Sequence, residues 1–381
     1  MKIIFAGGGT AGHINPALAV AQYIRDKEPE SEILYVGVKG GMEERLVKNA
    51  GFAFKGIKVS GFSRKLNLSS LKKNIVAVKR VITSSSESKK IIKDFNPDVC
   101  MGTGGYVSGP ILRVAAKMGI PIVIHEQNAY PGVTTKMLSK YAGKVMLSMM
   151  QAQKHLSPKC DVVYTGNPVR KDILVADKEN ARRLLGLDDR PVILSFGGSL
   201  GAKAVNEAVA GLISTKSITD KYQFIHAYGK YGKWFPDLLI KKGVNLKKHK
   251  NIHISEYIDN MPTCLAAADI CICRSGATSL SELQVMGKPS ILIPSPNVAE
   301  NHQFHNAMAL VNNNAAEIIE EKDLNSEKLI DCVKKLIDNP IKLKEFERNL
   351  KNMAVYDSSD RIYKAIKETL KSKSSVSSMS Y

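Results

Sequence analysis

Long hydrophobic runs are missing from this 381-residue sequence: none approaches the roughly 18 residues that mark a membrane-spanning helix. No secretory leader is expected either. Met1-Lys2 passes straight into the strand-like Ile3-Ile4-Phe5-Ala6, so a soluble, cytoplasmic protein is expected. Six cysteines (Cys100, Cys160, Cys264, Cys271, Cys273, Cys332) are scattered through the chain and form no disulfide framework. Cys271 and Cys273 stand two apart in an apolar run, the spacing of one face of a buried strand rather than of a metal site. His302 and His305 have no acidic or thiol partner at ligand spacing, and Asp-x-Asp occurs nowhere, so no metal or other cofactor is expected. Aromatic residues are only 6% of the chain, too few for a base-stacking platform, and no nucleic-acid reading motif is present.

Acidic residues are also in short supply: the net charge is +19, and residues 1–165 hold 24 Lys and Arg against 11 Asp and Glu. Between residues 58 and 93 ten basic residues face one acid, Glu87. Such a cluster seeks phosphate, as nucleic acid or as an anionic membrane surface, and the want of a reading motif and of aromatics speaks against nucleic acid. Leu71, Ile75, Val78 and Ile82 fall on one helical face flanked by Lys72, Lys73, Lys79 and Arg80, the pattern of an interfacial helix within segment 64–93; a core helix with solvated lysines has the same pattern.

What the chain has in quantity is short apolar runs alternating with helical patterns. Strand-like segments at residues 3–6, 33–37, 99–101, 120–125 and 144–147 are followed by a second series at 192–196, 222–227, 251–255, 270–273 and 290–293. Near-continuous apolar strands of this kind predict an α/β protein with two doubly wound parallel sheets, each covered by helices on both faces. Gly166 and Pro168 punctuate the chain between the series, giving expected domains at 1–166 and 167–355. A helix over 356–371 is expected to pack back on the first domain, and the serine-rich residues 372–381 to form a disordered tail.

Each series opens with a strand and a glycine-rich turn. Gly7-Gly-Gly-Thr-Ala-Gly-His13 lets the backbone approach a ligand and aims the positive end of a helix at it, an anion-binding arrangement. Its Gly-x-Gly-x-x-Gly spacing matches a dinucleotide fingerprint, yet the second strand ends Val36-Gly-Val-Lys39 without the acid that holds a ribose. His13 is therefore read as a polar group beside a phosphate, or else as a helix cap. Gly102-Thr-Gly-Gly-Tyr-Val-Ser-Gly-Pro110 and Gly197-Gly-Ser-Leu-Gly201 are further turns of this type at strand ends, where open α/β sheets bind ligands. His125-Glu-Gln-Asn128 places four polar residues past a strand, either as a network between loops or facing the cleft expected between the domains. Arg274-Ser-Gly-Ala-Thr-Ser-Leu-Ser-Glu282 offers free N–H groups for a diphosphate and a carboxylate suited to a ribose diol, and Gln303 both donates and accepts, as sugar hydroxyls require.

These segments, with Gly166-Asn-Pro-Val-Arg170 and His302-Gln303, closely resemble in order the motifs of the MurG family from Met1 to about residue 365. The resemblance implies the GT-B architecture and an inverting glycosyltransferase that moves N-acetylglucosamine from UDP-GlcNAc to the 4-hydroxyl of the N-acetylmuramyl group of lipid I, giving lipid II. It implies a peripheral enzyme at the cytoplasmic face of the membrane. By the same resemblance Thr10, Ala11 and Gly12 lie at the donor sugar and the acceptor diphosphate, Gly104, Gly105 and Tyr106 on the acceptor side, and Asn128 at the donor sugar. Arg170 and Ser199 contact the nucleotide, and the backbone of Ile258 the uracil. Ala277, Thr278, Ser279, Leu280, Ser281 and Glu282 bind phosphate and ribose, and Gln303 the sugar hydroxyls. His13 is the candidate base, with Glu126 a second catalytic candidate. Leu200 stands where many members carry glutamine. A UDP-GlcNAc 2-epimerase or a glycolipid transferase of the same architecture is the alternative.

Overall fold

The computed structural model describes residues 1–59 and 84–378, with side chains as far as residue 372. The interfacial helix expected around Leu71 to Ile82 lies outside the described residues. The chain divides into two compact units, Met1–Pro168 with the C-terminal stretch from Asp357, and Val169–Tyr356.

In the first unit, β1 (Lys2–Gly7), β2 (Glu32–Val38), β3 (Ala53–Ile57), β4 (Val99–Gly104), β5 (Ile122–Glu126), β6 (Lys144–Leu147) and β7 (Val162–Tyr164) form one parallel sheet. The spatial order is β3-β2-β1-β4-β5-β6-β7. Alternate residues serve opposite layers because side chains leave a strand on alternating faces. Ile3, Phe5, Tyr35, Val99 and Met101 pack on Ile14, Ala17, Val20 and Ile24 of the helix Ala11–Lys27. Ile4, Ala6, Leu34, Val36 and Cys100 meet Ile111, Leu112 and Ala115 of the helix Ser108–Lys117 on the other side.

The second unit repeats the plan with β8 (Val192–Phe196), β9 (Gln223–Ala227), β10 (Ile252–Ser255), β11 (Ile270–Cys273), β12 (Ser290–Leu292) and β13 (Glu317–Ile318), ordered β10-β9-β8-β11-β12-β13 and parallel throughout. Cys271 and Cys273 are fully buried on β11, and burial pushes the Cys271 thiol up to about 12.

Both sheets reverse direction of growth once, between β1 and β4 and between β8 and β11. A crevice opens at such a switch point outside the C-terminal ends of the strands. The glycine-rich turns after β1, β4 and β8 and the Arg274–Glu282 segment after β11 all fall there.

Three strands are absent from the sequence expectation, β3, β7 and β13, and each is a sheet edge. Paired on one side only and as short as Glu317–Ile318, they carry too little apolar pattern to be read. The C-terminal helix runs Ser358–Ser378, past residue 371 where an end was expected. Once its first turns are docked, extending a helix fixes one residue per hydrogen bond, so the serines continue it. Among the described residues no helix is long and apolar enough to cross a membrane.

Candidate functional site

The acceptor-side expectations converge in the first unit. β1 ends at Gly7, Gly8 is buried, and Gly9 to Gly12 are exposed before the helix Ala11–Lys27 carries the chain away. Thr10 is the N-cap but makes no side-chain cap bond, so the first helical N–H groups, of Ala11 and Gly12, have no preceding-turn carbonyl to meet. His13 lies one residue further, half-buried, with Nδ1 3.0 Å from the Gly8 carbonyl and 3.4 Å from Thr10 Oγ1. Its own carbonyl accepts Thr103 Oγ1–H at 2.7 Å, tying the loop after β1 to β4. Gly104 and Gly105 have φ of +110° and +79°, and they lie against His13 and Gly8 so closely that an added Cβ at Gly104 would stand 2.9 Å from His13 Nε2. Tyr106 beside them is 62% exposed.

Behind the loop stands a residue that sequence reasoning missed. Glu43, on the helix Met42–Asn49, is 1% exposed, and its carboxylate accepts the N–H groups of Val38 at 2.8 Å and Gly9 at 3.4 Å. The acid missing from the end of β2 is thus supplied by the next helix, on the inner side of the glycine turn. One N–H of the turn, that of Gly9, therefore faces protein rather than a ligand. The signal available in sequence was Gly40-Gly41-Met-Glu43 directly after β2, which gives the acid but not its direction.

The His125–Asn128 segment is chiefly a buried network. His125 is fully buried, with Nε2 2.9 Å from the Gly166 carbonyl and Nδ1 receiving Gln127 Nε2–H at 3.0 Å. Burial lowers its pKa and holds the ring neutral. Ser148 Oγ–H donates to Asn167 Oδ1 at 2.7 Å, so β5, β6 and the chain leaving this unit are tied at one point. Glu126, the second catalytic candidate, belongs to the same network. It is 3% exposed, and both oxygens are occupied, Oε1 by Asn128 N–H and Nδ2–H and Oε2 by Gly132 N–H, each at 3.1 Å. It orients Asn128, which remains partly exposed.

In the second unit the expected nucleotide residues gather after β8 and β11. Ser199 and Leu200 are exposed on the turn, whose carbonyls receive Lys230 N–H at 3.1 Å and Tyr231 N–H at 3.0 Å. The helix Ala277–Met286 starts at Gly276 without a side-chain cap, and the N–H groups of its first turn, those of Thr278 and Ser279 among them, have no carbonyl of a preceding turn to meet. The side chains of Leu280 and Ser281 turn inward: Leu280 is fully buried with its N–H on Gly276, and Ser281 Oγ–H bonds Ala277 O at 3.1 Å. Periodicity decides this, since in the helix the core-facing side passes through 280 and 281. Glu282 Oε1 stands 3.6 Å from Arg170 Nε. Burial nevertheless lifts the Glu282 carboxyl to about 7, because the half-exposed guanidinium offsets it only in part and Asp172 opposes it. Ile258, buried after β10, offers main chain only.

Gln303 is half-buried on the helix His302–Val311, its carbonyl accepting Ser275 Oγ–H at 2.8 Å and its Oε1 accepting Ser295 N–H at 2.9 Å. The amide NH2 is the end left to donate. Arg274 Nη1–H bonds the carbonyls of Ile293 and Pro294 at 3.1 and 3.2 Å and pairs with Glu321, so it fixes the loop rather than meeting a phosphate.

Two family models match the chain, the glycosyltransferase family 28 N-terminal domain over residues 3–147 and the C-terminal domain over residues 192–362. A protein of Acetivibrio thermocellus named UDP-N-acetylglucosamine–N-acetylmuramyl-(pentapeptide) pyrophosphoryl-undecaprenol N-acetylglucosamine transferase is 45% identical over 98% of this chain and 99% of its own length. One of the same name from Bacillus cytotoxicus is 38% identical over 97% of this chain and 100% of its own length. Among solved structures, Acinetobacter baumannii MurG matches with a TM-score of 0.77 at 27% identity, covering 96% of this chain and 99% of that one. A UDP-GlcNAc 2-epimerase from Neisseria meningitidis shares the fold at 14% identity and a TM-score of 0.67, covering 97% of this chain and 100% of that one. With family models on both units and relatives 38 to 45% identical along nearly their full length, the chain belongs to glycosyltransferase family 28.

Proposed function

We propose that this chain transfers N-acetylglucosamine from UDP-GlcNAc, with inversion, to the 4-hydroxyl of the N-acetylmuramyl group of lipid I, forming lipid II for peptidoglycan synthesis. The observation that carries the reading is the pair of switch points, each lined by an uncapped helix N-terminus and glycine turns, with His13 at one and Glu282 at the other.

Ser199, Arg170, the main chain of Ile258 and the first turn from Ala277 to Ser279 bind the nucleotide, and Glu282 receives the ribose diol. Gln303 and Asn128 hold sugar hydroxyls. Thr10, Ala11 and Gly12, with Gly104, Gly105 and Tyr106, form the acceptor side. His13 takes the proton of the acceptor hydroxyl as its oxygen attacks the anomeric carbon, and UDP leaves from the opposite face with the bonding electron pair. The uncapped helix stabilises the charge that develops on the β-phosphate, so the reaction needs no divalent ion.

The exposed Lys58, Lys89, Lys90 and Lys93 belong to the basic cluster and suit docking of a peripheral enzyme on anionic lipid at the cytoplasmic face. The test incubates the protein with radiolabelled UDP-GlcNAc in EDTA, with and without a lipid I analogue. Labelled lipid and UDP release that depend on the acceptor are expected. A new UDP-sugar formed without acceptor would make the chain an epimerase, and strict dependence on a divalent cation would remove the metal-free mechanism.

A further inference from the structure

A single peptide group, between Gly8 and Gly9, separates a buried carboxylate from the imidazole of His13. Its N–H donates to Glu43 Oε2 at 3.4 Å, and its C=O stands 3.0 Å from His13 Nδ1. In a trans peptide these two groups point in opposite directions, so the peptide bridges the two side chains. A carbonyl only accepts. His13 Nδ1 therefore carries the proton, and the lone pair of the ring is on Nε2. Thr10 Oγ1, at 3.4 Å from Nδ1, is the more distant neighbour and does not alter this assignment.

Glu43 is held for the task. Its other oxygen accepts Val38 N–H at 2.8 Å, and among the described residues its hydrogen-bond partners are these two N–H groups, with no cation. A carboxylate 1% exposed with so few donors is costly to fold around. The backbone around it is cleared by glycines. A methyl at Gly8 or Gly37 would overlap the Glu43 side chain, and one at Gly41 would stand 2.8 Å from Oε2.

We propose that Glu43 is a positioning residue for His13, acting through the Gly8–Gly9 peptide to fix the Nδ1–H tautomer and keep Nε2 as the base. The negative charge polarises the peptide and strengthens Gly8 O as an acceptor, since hydrogen bonds in a chain reinforce one another. When the acceptor hydroxyl gives its proton to Nε2, its oxygen bonds the anomeric carbon and the bond to UDP breaks. The imidazolium that results keeps Nδ1–H on Gly8 O, where the Glu43 charge favours it. The role is that of the acid behind a catalytic histidine, with a peptide group between them.

The inference rests on His13 as base, and the experiment separates the two. Full-length protein labelled with 15N in the imidazoles of its eight histidines is examined by NMR, the His13 signals being assigned by their loss in His13→Gln. In its neutral ring wild type is expected to show Nδ1 protonated and Nε2 bare. Glu43→Gln, close to the same shape, is expected to mix the tautomers and to lower kcat with a lipid I analogue by about tenfold to a hundredfold, leaving the Kd for UDP unchanged. Gly41→Ala crowds the same oxygen without removing the charge and is the second probe if Glu43→Gln fails to fold; a fall in kcat with mixed tautomers is again expected. Wild type with its proton on Nε2 overturns the proposal, as does wild-type kcat in the folded variants, or a loss of kcat with unchanged His13 signals. Full turnover in His13→Ala would instead remove the base and leave the tautomer result standing.

Discussion

His13 is the third residue of the uncapped helix at one switch point and Glu282 the sixth of the uncapped helix at the other, and their surroundings set them to different work. The Glu282 carboxyl is lifted from 4.5 to about 7 by burial, so the folded chain holds that proton more tightly than the unfolded chain does. Its cost is absent below the unfolded value, grows as pH rises between the two and is complete above about 7, where it is on the order of 3 kcal/mol. Glu282→Gln is therefore expected to raise the thermal midpoint of the unliganded protein at about pH 8 and to leave it little changed near pH 4.5. The same variant should bind UDP more weakly at pH 8, because a carboxylate accepts two ribose hydroxyls and an amide accepts one. Melting curves and calorimetric titration at both pH values check this; equal melting of the two proteins at pH 8 contradicts it. For His13→Ala the expected result is a loss of kcat of roughly a hundredfold or more with the UDP Kd retained, read by steady-state kinetics beside titration.

At the scale of elements, the site is built from turns whose shape depends on what lies against them. Gly105 combines a φ of +79° with a position so close to the Gly8 carbonyl that an added Cβ would overlap it. Gly105→Ala then costs about 1 to 2 kcal/mol in backbone strain and pushes apart the loops after β1 and β4. Turnover should fall at least tenfold while UDP binding, which we propose for residues of the second unit, is unaffected. A parallel loss of UDP binding would show that the two halves are not separable. Central strands and their glycine turns were legible in the sequence because both announce themselves locally, by an apolar run and by a residue without Cβ. The direction of Glu43, the burial of Glu126 and the inward turn of Leu280 and Ser281 were not. Each depends on which neighbour a helix or strand packs against, and Gly8, which Glu43 abuts, is 35 positions away along the chain. The motif at His125–Asn128 is the clearest case: His125 and Glu126 read equally well as ligand contacts or as a network, and of the four residues only Asn128 stays partly exposed.

For the molecule as a whole, the chain leaves the first unit after Pro168 and returns at Asp357 to complete it. Ile362, Ala365 and Ile366 of the last helix are buried in the layer that holds Ile14 and Ile24, so the first unit's core depends on residues from both ends of the sequence. Polar bonds fix the register of that return. Glu28 Oε1 accepts Tyr363 O–H at 2.5 Å and Lys367 Nζ–H at 2.7 Å, and Tyr23 O–H donates to Asp360 Oδ1 at 2.6 Å. The bond from Lys367, followed by that from Tyr363, holds the Glu28 carboxyl down at about 2. A carboxyl lowered by folding contributes stability that is present above its unfolded value of 4.5 and is lost as pH falls through about 2. Glu28 is a quarter exposed, so solvent screening reduces the contribution to about 1 kcal/mol. Glu28→Gln should accordingly lower the melting midpoint of the first unit by about 2 to 4 °C near neutral pH, and the gap to wild type should narrow steadily as the pH is taken from about 5 towards 2. Calorimetry across that range decides the matter, and a gap that stays constant with pH would mean that the charge of Glu28 contributes nothing to holding the helix.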